Sequence, residues 1–114
     1  MNESEIKEVL GKIHECNKDI TDFTSYAIKK MSDRNIAKEI IFEQLFSDKI
    51  PYIIEKQQIV HQGKPEIRYK LVFSLSGRYS LIIIIALYPN SLKVINAIRT
   101  SKKLQEKWKK EALK

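Results

Sequence analysis

Glycine and proline are scarce, at 3 each in 114 residues, and there is a single cysteine. So little Gly and Pro leaves no room for long disordered linkers. The lone Cys16 excludes an internal disulfide and a cysteine-rich metal site. A free thiol fits a reducing compartment. The longest apolar run, LIIIIAL at residues 81–87, is far shorter than the about 20 residues a membrane-spanning helix needs. The first residues, MNESEIKEVL, are polar and acidic, unlike a signal peptide. Gly-rich phosphate loops, dinucleotide fingerprints and the GxSxG elbow are all missing. His14 and His61 lack ligand spacing, and His14 beside an apolar stripe reads as a half-buried structural residue. The expectation is a cytoplasmic protein without membrane span, metal or cofactor.

What the chain does have is charge, unevenly placed. The formal net charge is +7. Residues 1–50 carry 8 Lys+Arg against 10 Asp+Glu, while residues 51–114 carry 13 against 4. A basic second half is the electrostatic footprint of a polyanion or an acidic partner, and nucleic acid is the obvious polyanion. The hydrophobic fraction of 43% supports one modest core.

Periodicity divides the chain at about residue 50. Asn2 can cap a helix with Glu5 at its third position, and Ile6, Val9, Leu10 and Ile13 recur at helical spacing to about Asn17. Thr24 is the expected N-cap of a second helix over SYAIKKMS, and Asn35 suits a left-handed turn. A third helix is expected over 37–46, with Pro51 forbidding continuation. Strands follow at 52–60, 67–75, 78–88 and 92–100, joined by short turns. The last stretch, SKKLQEKWKKEALK, places Leu104 and Trp108 four apart, as on a helix face. The predicted fold is one α+β domain over 1–114. It has N-terminal helices (1–50) on one face of a four-stranded antiparallel meander (51–100) and a basic C-terminal helix (101–114).

Strand alternation sorts the cations. Arg68 and Lys70 share one face, opposite Tyr69, Leu71 and Phe73. Lys93 and Arg99 share a parity and are expected on one face, with Thr100 opposite. Tyr69 and Tyr79 fall on apolar parities and read as core, and Arg78 opens the strand that follows the Ser76-Gly77 connection. Arginine holds phosphate bidentately, lysine acts as a movable point charge, and tyrosine stacks bases.

Residues 23–45, FTSYAIKKMSDRNIAKEIIFEQL, are similar to the opening of small proteins of the RelE/ParE-like toxin superfamily. Phe23, Tyr26, Ala27, Lys29, Lys30, Met31, Arg34 and Ile36 carry the resemblance, and the last strand, VINAIRT, resembles the group's usual ending. The likeness spans about residues 22–110. It implies a metal-independent RNA endonuclease restrained by an antitoxin protein, in which a ribose 2′-hydroxyl attacks the adjacent phosphate. On that reading Arg99, Arg68, Lys70 and Tyr26 are the catalytic candidates. Arg78, Lys93, Arg34, Thr100, Lys102 and Lys103 are the nucleic-acid-binding ones. Tyr26 stands where relatives often have His, and a tyrosine of ordinary pKa, about 10, is a poor base at neutral pH. Thr100 is expected to cap the last helix as well as to meet phosphate. A non-catalytic nucleic-acid- or protein-binding module on the same fold is the alternative.

Overall fold

A computed structural model describes residues 1–102. The element order is α1 (Glu3–Glu15), a short 3-10 turn (Lys18–Ile20), β1 (Thr21–Phe23), α2 (Ser25–Asp33), α3 (Lys38–Phe46), β2 (Ile53–His61), β3 (Lys64–Ser74), β4 (Tyr79–Tyr88) and β5 (Ser91–Ser101). Both expected N-caps form: Asn2 accepts from Glu5 N–H and Thr24 from Ala27 N–H. At the end of α2, Asn35 is left-handed (φ 55), Asn35 N–H donates to Ser32 O and Ile36 N–H to Met31 O. That pair of bonds closes the helix without glycine. The β2–β3 hairpin turns through Gln62 and Gly63, both at positive φ (52 and 76), the geometry that matches strand twist.

The sheet has five strands, ordered β1-β5-β4-β3-β2, and it is mixed rather than a four-stranded antiparallel meander. The meander β2–β3–β4–β5 forms as expected, but the three residues of β1 pair in parallel with Leu92–Val94 of β5. A three-residue strand carries no readable period, and only its distant partner makes it one. The expected C-terminal helix lies outside the described residues from Lys103 on, and Ser101 is still strand.

The helices gather on one face of the sheet. Val9, Ile13, Ala27, Met31, Ile36, Ile41 and Leu45 pack with Leu71, Phe73, Leu81, Ile83, Ile85, Leu92, Val94 and Ala97 in one core. The centre of the opposite face is closed: Val72, Ser80, Ile82, Ala86 and Thr100 are buried there. Directly paired residues share a face, which puts Ile53, Val72, Ile82 and Ile98 in one row across four strands.

One irregularity decides where the cations point. Ile84 pairs with Asn96 and Ile85 with Val94, so Ile95 is an extra residue in β5. Such a bulge reverses the parity of everything beyond it. Lys93 pairs with Ala86 on the second face, whereas Arg99 pairs with Leu81 on the helix-covered side. The expectation that Lys93 and Arg99 share a face is therefore corrected, and Thr100, paired with buried Ser80, joins the face of Arg68 and Lys70 instead.

Candidate nucleic-acid interface

Of the ten residues named as candidates, nine fall into three places, and Lys103 lies outside the described residues. On the helix side, Tyr26 is half-exposed at 53%, with Lys30 Nζ 5.6 Å from its ring centre. Arg34, at the end of α2, donates from Nη1 to Asn96 Oδ1 (2.9 Å) and to Ala97 O (2.8 Å). That guanidinium ties a helix terminus to the edge of β5, which is a structural job, done by hydrogen bonds rather than a salt bridge.

The second place is the part of the opposite face near the β2–β3 hairpin. Arg68 directs Nε and Nη2 to Glu66 Oε2, both at 2.9 Å, with both side chains about four-fifths buried. Glu66 Oε1 accepts from the Tyr88 hydroxyl at 3.1 Å. Burial pushes the Glu66 carboxyl up, but hydrogen bonds from Arg68 and Tyr88 and the charges of Arg68 and His61 outweigh it and hold the group below the usual carboxylate range. Tyr88 is pushed up by burial and by its carboxylate partner. Lys93 Nζ lies 5.6 Å from the Tyr88 ring centre, and Lys70 Nζ is 3.9 Å from Glu55 Oε2. Arg68 and Lys70 therefore each face a carboxylate, while Lys93 has only the tyrosine ring.

The third place is the far end of the sheet, where the β3–β4 turn meets the end of β5. Ser76 Oγ accepts from Arg78 and Tyr79 N–H at 3.2 Å each, and Leu75 N–H donates to Tyr79 O at 3.0 Å. Lys102 N–H donates to Arg78 O at 2.8 Å, clamping the end of β5 to the turn. Its ammonium donates to Ser74 Oγ and Ser76 O, both at 2.7 Å, which leaves one proton of three outward. Beneath them Ser74, Ser80 and Thr100 form a row of hydroxyls across β3, β4 and β5. The Tyr52 hydroxyl shares a hydrogen bond with Ser80 Oγ. Thr100 lies in β5 and its Oγ1 donates to Ser101 O at 3.4 Å, while the helix it was expected to cap lies outside the described residues.

At this end Arg78 and Arg99 are exposed, and among the described residues neither guanidinium has a carboxylate or hydrogen-bond partner. Tyr79 lies on Arg99's face: it pairs with Ser101, two residues along from the Leu81–Arg99 pair. Its ring is 47% exposed rather than in the core. Alternation assigned Tyr79 to the interior, and the useful signal was its position as the first residue after a turn, where a strand face is not yet covered. The resulting set is two free guanidinia, one ammonium and one exposed aromatic ring at one sheet end.

A cleft of about 340 Å³ lies elsewhere, between the end of α1 and the β4–β5 turn, with Lys12, Cys16 and Tyr88 in its wall. It holds none of the candidates. Burial, with the nearby Glu15 charge, raises the Cys16 thiol, so little thiolate forms there. His14 is exposed rather than half-buried. No helix among the described residues is long and apolar enough to cross a membrane. No family model matches the chain, and no curated protein or solved structure matches it either.

Proposed function

We propose that the protein is a binding module for single-stranded nucleic acid, RNA foremost, working through the sheet end formed by the β3–β4 turn and the end of β5. The observation that carries this reading is the pair of exposed arginines, Arg78 and Arg99, without a side-chain partner among the described residues, with exposed Tyr79 between turn and strand. Guanidinia take backbone phosphates bidentately, and a tyrosine ring stacks a base without regard to its identity. Lys102 adds a third positive charge and is held in place by Ser74 and Ser76. The uneven charge of the chain supports the same partner.

A second reading is the metal-independent endoribonuclease, a RelE/ParE-like toxin with an antitoxin partner. It is favoured by Arg99 and Arg78 being free to stabilise a phosphorane without a metal. Against it, Arg68 and Lys70 face carboxylates on the opposite side of the sheet from Arg99.

Titrating a labelled RNA oligonucleotide by fluorescence anisotropy, with the same samples run on a denaturing gel, separates the two. Binding that weakens steeply with salt, leaves the RNA intact and is lost in Arg78→Ala/Arg99→Ala is the expected result. Cleavage abolished by Arg99→Ala establishes the nuclease instead. Absence of any salt-sensitive binding overturns both.

A further inference from the structure

We propose that β2 pairs with β2 of a second copy of this chain, joining two sheets edge to edge into one. The inference is independent of the nucleic-acid reading and starts from the contrast between the two sheet edges. On one side β5 is covered. β1 pairs with Leu92–Val94, Thr24 N–H and Oγ1 donate to Val94 O and Ile95 O, and Arg34 donates to Ala97 O. On the other side β2 is the outermost strand, and no described residue hydrogen-bonds to its outer edge. Proteins blunt such edges with bulges, prolines, short length or a row of lysines. β2 has none of these: nine residues pair with β3 in unbroken register, without Pro or Gly, and carry one Glu and one Lys. Val60 of β2 is 76% exposed, and Ile67 of the neighbouring β3 is 42% exposed.

The chemistry of the strand selects its partner. A twofold axis normal to the sheet requires residues facing each other to lie on the same face, so the axis passes through a residue rather than between two. Centring on Gln57 uses all nine residues. It sets Ile54 against Val60, Ile53 against His61, Glu55 against Ile59 and Lys56 against Gln58. No like charges meet. Centring one residue earlier opposes Lys56 to Lys56, and two earlier Glu55 to Glu55, each unfavourable. The strand is thus complementary to itself in the register that engages its whole length and covers its most exposed side chain.

Analytical ultracentrifugation of the full chain over a concentration series tests this directly. A reversible species of twice the chain mass is expected, and Gln57→Lys, which places two ammonium groups across the axis, should weaken association at least several-fold with the far-ultraviolet circular dichroism unchanged. A second measurement is free of any folding defect. In a Cys16→Ser background, Gln57→Cys should oxidise to a covalent dimer, because directly opposed Cα atoms lie about 4.5–5.5 Å apart, within disulfide reach. Lys56→Cys should not, since its own copy is displaced along the strand. A chain that is monomeric at every concentration, a dimer indifferent to Gln57→Lys, or equal cross-linking at both positions overturns the proposal.

Discussion

Arg68 and Arg99 stand on the two faces of one sheet, and among the described residues only the first faces a carboxylate. Arg68 is four-fifths buried against Glu66, whose other oxygen holds Tyr88, and Lys93 lies beside that tyrosine ring. Arg99 is exposed at the other end of the sheet, with Arg78 and Tyr79 as its companions. The lesson is that a cation's place in a basic half says little until its counter-charge is known. A guanidinium satisfied by a half-buried carboxylate stabilises the fold, and transferring it to a phosphate would leave that carboxylate without its partner. A guanidinium facing water is available at no such cost.

The contrast is most sharply broken by moving the charge removal from one cluster to the other. Arg78→Ala/Arg99→Ala is expected to lower RNA affinity by about 100-fold at low salt, each arginine contributing about 0.7 to the slope of log affinity against log salt. Arg68→Ala should change that slope hardly at all in the same titration. Stability is expected to reverse the order. Glu66→Ala removes the acceptor of both Arg68 and Tyr88 and should cost about 1–3 kcal/mol in urea denaturation, while Arg99→Ala stays near neutral.

Acid should distinguish the clusters next. Because the folded Glu66 carboxyl is held below its ordinary value, its stabilisation is complete above the unfolded carboxylate range and is lost as pH falls through the depressed folded value. Melting temperature should therefore drop more steeply on acidification in the parent than in Glu66→Gln. The smallest effect belongs to Lys70→Ala. Its contact with Glu55 is long at 3.9 Å and partly exposed, so a change of about 0–1 kcal/mol in the same denaturation is expected. A larger loss would mean that Lys70 belongs with Arg68 as an anchoring residue.

Much of the scaffold was legible from local chemistry. Asn2 and Thr24 cap helices because their side-chain oxygens reach the first free N–H groups, a contact within three residues. The alternation of β3 was readable because Leu71 and Phe73 face a continuous core and Arg68 and Lys70 do not. Glu66, two residues before Arg68 on the same strand face, was a visible warning that this arginine has a partner. The bulge at Ile95 had no such marker: VINAIRT reads as a regular strand, and the extra residue appears only where β5 is matched against β4. For the same reason β1, Arg34's bonds to Asn96 and Ala97, and the exposure of Tyr79 depended on contacts across long separations.

From the sequence alone came an α+β order of helices then antiparallel strands, a basic second half, and the helix caps and turns, all set by neighbours a few residues apart. Tertiary structure alone decided which cations are spent and which are free. It also set Lys93 and Arg99, which parity put together, on opposite faces. Face and counter-charge are properties of strand register, and register is fixed by the partner strand rather than by the residues that precede it.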